Sequence, residues 1–239
     1  MTKHIGIIAI SSEGTALCYR TICQEARRVL GKFAHPEVSI HAHSLNRYMD
    51  FIIKDDWDGV ASLMISSVEK LAAIGADFAI CPDNTVHRSF EQVGKQARIP
   101  LISIIETVAL ECQLKEYQTV GVLGTRHTMQ GPLYKEVLSK LEIDLVVPNE
   151  NDQEIINNII FDELIPLGRA SSSSEKQIIG IIQRLKEVGC EAVILGCTEI
   201  PLLINNGNSP LPVIDSTRLL AKKALDYSLA SDMAVRDTN

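Results

Sequence analysis

The strongest constraint on this chain is an internal repeat. Three short blocks recur in the same order. Ile5-Gly6-Ile7-Ile8 returns as Val120-Gly121-Val122-Leu123, 115 positions later. Gly75-Ala76-Asp77-Phe78-Ala79-Ile80 returns as Gly189-Cys190-Glu191-Ala192-Val193-Ile194, 114 positions later. Ile99-Pro100-Leu101-Ile102 returns as Leu211-Pro212-Val213-Ile214 after 112. Three blocks in register with so little drift imply two similar halves. The boundary is expected near residues 110–117, giving a first half at 1–112 and a second at 113–228. The C-terminal helix at 216–228 is expected to complete the first half. Residues 229–239 are small and polar and read as a frayed tail.

Each half alternates short apolar runs with amphipathic segments of helical length. Strands are expected at 4–10, 37–43, 78–81, 101–104, 119–123, 143–147, 192–195 and 213–214. Helical segments are expected at 15–30, 57–74, 131–141 and 175–188, the last opened by a Ser172–Glu175 capping box. Buried strands alternating with helices specify parallel βαβ units, so the fold class is α/β with two pseudo-symmetric Rossmann-like halves. With 46% hydrophobic and 22% charged residues the chain can bury a core, which excludes disorder as its main state. The net charge is −7 and no basic stripe is visible, which argues against a nucleic-acid backbone as partner. No apolar run approaches the ~18 residues of a membrane span, and the start resembles no secretory leader. The six cysteines form no C-x-x-C pair, the pattern of a reduced, cytoplasmic protein.

In open α/β sheets ligands bind beyond the carboxyl ends of the strands. The second repeat block ends at such a point in both halves, continuing as Cys81-Pro82-Asp83-Asn84-Thr85-Val86-His87 in the first and Leu195-Gly196-Cys197-Thr198-Glu199-Ile200-Pro201 in the second. At the 114 offset Asp83 is the counterpart of Cys197. Two halves facing across a cleft would set these side chains on opposite walls of an active site. That arrangement suits removal of a proton from one face of a carbon and its return to the other. A thiolate is a competent base once its pKa falls below ~8.5. Asn84, Thr85 and Thr198 are candidates to hydrogen-bond a substrate carboxylate, onto which charge moves as the α-proton leaves.

At these residues the chain resembles the aspartate/glutamate racemase family. Gly196-Cys197-Thr198-Glu199-Ile200-Pro201-Leu202-Leu203 is similar to the family's second signature. Asp83-Asn84-Thr85-Val86-His87 is similar to its first, which usually begins with cysteine. Val120 through Met129 and Asp215-Ser216-Thr217 also resemble the family, so the likeness runs from about residue 4 to 227. The resemblance implies two Rossmann-like halves, catalysis with no cofactor, pyridoxal phosphate or metal, and a homodimer. It implies Asp83 and Cys197 as the catalytic acid/base pair acting on an amino acid, an acidic one. Ser11, Arg47, Asn84, Thr85, Thr125, Thr128, Thr198 and Glu199 would bind substrate, Glu199 meeting the amino group and Arg47 the distal carboxylate. The partner is a small amino or carboxylic acid; no nucleic-acid or membrane partner is expected.

The departures are specific. Asp83 replaces the first cysteine, the glycine pair after the first strand is Ala9-Ile10, and Ile165-Pro166 stand where acidic-substrate racemases carry a lysine. Asp83 also reads as a helix N-cap, an orientation that competes with catalysis. Thr125 and Thr128 also read as helix caps. His41 and His43 share a strand face but lack a further metal ligand, and His87 reads as a support of the first loop. Two other functions fit the same residues: a cofactor-free decarboxylase of the arylmalonate type using Cys197 alone, and a non-catalytic binder of small carboxylates.

Overall fold

Among the described residues eight strands form, all where apolar runs predict them: β1 (Ile5–Ala9), β2 (Val38–Ala42), β3 (Phe78–Ile80), β4 (Leu101–Ile102), β5 (Thr119–Leu123), β6 (Asp144–Val146), β7 (Ala192–Leu195) and β8 (Val213–Asp215). This computed structural model describes residues 2–236, with side chains to 230. The helices are α1 (Ser12–Leu30), α2 (Leu45–Ile52), α3 (Trp57–Ala73), α4 (Phe90–Gln96), α5 (Ile104–Leu114), α6 (Arg126–Gln130), α7 (Pro132–Ser139), α8 (Glu150–Asn158), α9 (Ile165–Leu167), α10 (Ser172–Glu187) and α11 (Ser216–Arg236). A π-helical turn at Ile159–Leu164 joins α8 to α9.

The strands make two four-stranded parallel sheets, ordered β2-β1-β3-β4 and β6-β5-β7-β8. The repeat extends to the register. Ile7 pairs with Ile80 in the first sheet, and their counterparts Val122 and Ile194 pair in the second. Ala79 pairs with Leu101, and Val193 with Val213. The central strands β1, β3 and β7 are buried throughout, and β5 from Val120 onward, as expected of parallel sheets covered on both faces.

The repeated glycine is explained by helix packing. A Cβ at Gly6 would lie 3.2 Å from the Leu71 side chain of α3, and one at Gly121 would lie 2.8 Å from Leu185 of α10. Both glycines let a helix lie close against a central strand.

The chain divides into two units, one running to Ile104 and resuming at Thr217, the other spanning Ile105–Ser216. The division falls at the first residue of α5. The predicted strand at 101–104 is cut to two residues because α5 already begins at Ile104. Helix α11 belongs with the first unit. Lys3 N–H donates to Ser228 O at 3.0 Å, Ser228 Oγ donates to Lys3 O at 2.6 Å, and Tyr227 packs edge-on against Phe78. Within the stretch expected as a tail from 229, the described backbone is helical to Arg236, and residues 237–239 lie outside the described residues. The start of α10 is also corrected. Its cap is Ser171, whose Oγ accepts from Ser174 N–H at 3.1 Å, while Glu163 accepts from Ser171 N–H and Ser174 Oγ. Glu163 thus takes the reciprocal role expected of Glu175.

Candidate active site

In the second unit, the β7 strand end is anchored by backbone. Gly196 N–H donates to Leu123 O at 2.7 Å, tying the end of β7 to the end of β5. A Cβ at Gly196 would sit 3.0 Å from Thr128 Cγ2 and 3.1 Å from Leu123 O, so the position accepts glycine alone without displacement. Ser216 Oγ donates to Leu195 O at 2.7 Å from the start of α11. These contacts fix the next residue, Cys197, which is buried.

The Cys197 thiol donates to Glu199 Oε2 at 3.0 Å, and Thr198 Oγ1 donates to the same oxygen at 3.1 Å. Glu199 is itself only 3% exposed, so its carboxylate is compensated by donors rather than by water. The thiol and the Thr198 hydroxyl thus share one buried carboxylate oxygen as acceptor. Glu199 therefore faces the thiol, where the resemblance had directed it to a substrate amino group. The close approach arises because residues 197–199 turn into a short 3₁₀ helix at Ile200–Leu202, with Ile200 N–H bonded back to Cys197 O at 3.2 Å.

In the first unit, the equivalent β3 end carries Cys81 and Asp83. Asp83 is half-buried, and its Oδ1 accepts from Val86 N–H at 3.1 Å, capping the 3₁₀ turn at Thr85–Ser89. The capping orientation is thus the one adopted here. His87 locks this turn. Its Nε2 accepts from Ile104 N–H at 3.2 Å, so Nδ1 carries the proton and donates to Asp83 O at 2.6 Å. The ring stacks on Phe90 with centroids 4.1 Å apart. Burial pushes the His87 pKa down to about 4, partly opposed by the bond to Asp83 O. His87 is therefore a neutral brace at physiological pH. Burial, then the charge of Asp83 and the nearby Cys18, hold the Cys81 thiol well above its usual range.

The other predicted residues divide between caps and neighbours of these two groups. Ser11 caps α1, accepting from Gly14 N–H at 3.3 Å. Thr125 caps α6, accepting from Thr128 N–H at 3.3 Å, with the two hydroxyls 3.1 Å apart. Ser11 and Thr125 sit at the ends of the matching strands β1 and β5, so the repeat includes its caps. Asn84 is buried and Thr85 half-buried beside Asp83. Arg47 is exposed on α2 and donates to His43 Nδ1 at 3.2 Å. His41 is committed on both nitrogens, to Ser67 Oγ at 3.0 Å and to Lys70 Nζ at 3.1 Å. No cluster of three or more potential metal ligands occurs among the described residues, and no described helix is long and apolar enough to cross a membrane.

Sequence reasoning missed Tyr48. It lies fully buried on α2 beside Arg47, and among the described residues its hydroxyl meets no partner in hydrogen-bond geometry. A tyrosine on an amphipathic helix carries the same sequence signal as any core aromatic, so nothing in the pattern marks it.

The comparisons with known proteins point one way. The sequence model of the Asp/Glu/Hydantoin racemase family matches residues 5–224. The broad specificity amino-acid racemase RacX of Bacillus subtilis is 27% identical over 210 residues, which is 87% of this chain and 88% of that protein. A solved structure from Yersinia pestis is 31% identical, covers 95% of this chain and 99% of its own, and superposes with a TM-score of 0.86. The structure of an aspartate racemase homologue from Pyrococcus horikoshii has the same identity and coverage, with a TM-score of 0.82.

Proposed function

Because the chain belongs to the Asp/Glu/hydantoin racemase family, we propose that it racemises an amino acid at the α-carbon, an acidic one, without a cofactor. Each half contributes one acid/base group. Cys197, in its thiolate form, removes the α-proton and becomes a thiol. The C–H electron pair moves into the substrate carboxylate to give an enediolate. Asp83, as a carboxylic acid, delivers a proton to the opposite face and is left as a carboxylate. The reverse direction begins with Asp83 as base and Cys197 as acid. For this, Asp83 must release its bond to Val86 N–H.

The observation that carries the reading is the 3.0 Å bond from the Cys197 thiol to Glu199, at the strand end matching that of Asp83. Thr198, Asn84, Thr85 and the Thr125–Thr128 pair are proposed to hold the α-carboxylate, with Ser11 at the matching strand end. The exposed guanidinium of Arg47 is proposed to meet a second carboxylate. A homodimer is proposed as the working unit.

The test is α-proton exchange in deuterated water with each enantiomer of a panel of amino acids. Proton NMR follows loss of the α-signal and chiral chromatography follows inversion. The expected result is exchange with inversion that Cys197→Ala abolishes; undiminished exchange in that variant would refute the mechanism. One observation favours a second reading. With Asp83 engaged as a cap, Cys197 could serve alone, protonating a planar enediolate from one face in a decarboxylase. Carbon dioxide release from an aryl-substituted malonate, with no inversion of any amino acid, would establish it.

A further inference from the structure

Four buried side-chain polar atoms lack a hydrogen-bond partner among the described residues: Thr15 Oγ1, His43 Nε2, Tyr48 Oη and Thr217 Oγ1. Each lies just past the carboxyl end of a strand, β1, β2 or β8. Buried polar groups are nearly always paired, and leaving one unpaired costs stability. Tyr48 is the largest of the four residues and is 0% exposed.

The surroundings of Tyr48 point to Asp83. Its ring belongs to the apolar cluster that includes Cys81 and Val86. These two residues flank Asp83 in sequence, and Val86 supplies the N–H that Asp83 now holds. Burial, then the charges of Cys81 and Asp83, raise the Tyr48 pKa, so the phenol stays protonated and has a proton to donate. Ser67 lies near enough to oppose part of that rise, but its hydroxyl does not meet hydrogen-bond geometry with Tyr48 Oη and is engaged with Leu63 O and His41 Nδ1. The remaining charged or titratable groups nearby are Arg47 on the same helix, Cys18 against Cys81, His43 bonded to Arg47, Lys70 bonded to His41, and His87 on the turn.

We propose that Tyr48 is a positioning residue for Asp83: its hydroxyl receives the Asp83 carboxylate when that side chain leaves Val86 N–H and turns to the reacting carbon. The inference rests on the reading of Asp83 as an acid/base. It explains how an aspartate that caps a turn also serves in proton transfer. The cap and the phenol are alternative donors, and the carboxylate moves between them without being left unpaired.

Tyr48→Phe removes the hydroxyl and keeps the ring. A merely structural tyrosine predicts a variant of equal or greater thermal stability with unchanged kinetics. The proposal predicts the same stability gain with kcat for exchange lowered about tenfold and KM held within about twofold. It also predicts that the loss vanishes in an Asp83→Asn background, since the hydroxyl acts through that carboxylate. A second measurement needs no turnover: a carbon-13 NMR titration of the Asp83 carboxyl in the full chain. Because the cap on Val86 N–H remains, loss of the alternative donor to the charged form should raise its midpoint in Tyr48→Phe by a few tenths of a pH unit. An unmoved midpoint, unchanged kcat, or additive effects of the two substitutions would overturn the proposal. If the wild type exchanged no α-proton, the racemase reading would fail, and the NMR titration would still decide whether the phenol serves Asp83.

Discussion

Acidification tests the brace under Asp83. His87 is neutral and doubly bonded in the fold, its pKa pushed down to about 4 from an ordinary 6.5. The unfolded chain therefore takes up a proton near pH 6.5 that the folded chain refuses until about pH 4. A depressed histidine contributes its full stability above the unfolded pKa. That contribution falls as the pH drops through the window between the two values. Linkage over this window gives a loss of about 2 kcal/mol between pH 7 and pH 5, approaching about 3 kcal/mol below pH 4. Urea unfolding at a series of pH values reads this directly, from the midpoint and slope at each pH. His41 and His43 also have pKa values lowered, first by burial, and add to the raw slope. The decisive quantity is the difference between wild type and His87→Asn. The variant starts lower at pH 7 by about 1–2 kcal/mol, because Ile104 N–H loses its acceptor. The two curves should then converge by about 2 kcal/mol as the pH falls to 5. Parallel curves over that range would show that His87 is already charged in the fold, or that its cavity opens, and would refute the tautomer assigned here.

Two further substitutions probe the second half. Gly196→Ala puts a methyl group 3.0 Å from Thr128 Cγ2 and 3.1 Å from Leu123 O; it should cost about 1–3 kcal/mol in thermal or urea unfolding and suppress exchange more than the stability loss explains, because Cys197 is the next residue. Arg184→Met strips a two-pronged bond from Asp152, which is 4% exposed and held at 2.6 and 2.9 Å. With the guanidinium half in solvent, the expected destabilisation is about 1–2 kcal/mol, measured by urea unfolding at pH 7.

Most of the architecture is legible in the sequence for one physical reason. Central parallel strands are buried on both faces, so Ile5–Ala9 and Ala192–Leu195 must be nearly pure apolar runs, and such runs are visible without context. The duplicated register follows because both halves keep a glycine at the same helix–strand contact. Boundaries that depend on a cap were less legible. Ser171, Ser172, Ser173 and Ser174 are chemically identical in sequence, and only the reach of Glu163 from eight residues upstream selects Ser171. The positions of Asp83 and Cys197 could be found from the repeat; their hydrogen bonds could not. Whether Asp83 caps a turn or faces outward depends on one rotamer. The contact from Cys197 to Glu199 depends on a 3₁₀ turn that brings residues two apart onto one oxygen. Tyr48 is the extreme case, because only the third dimension separates a core ring from one whose hydroxyl has been left unpaired.

Helix α11 pins the first amino acids of the chain to some of the last, through Lys3 and Ser228. On the ribosome the half that is translated first therefore lacks a wall until nearly the whole polypeptide has emerged. The second half is one uninterrupted stretch and has all its pieces sooner. Assembly order thus runs against synthesis order. A chain cut short before residue 217 would damage the portion farthest from the cut.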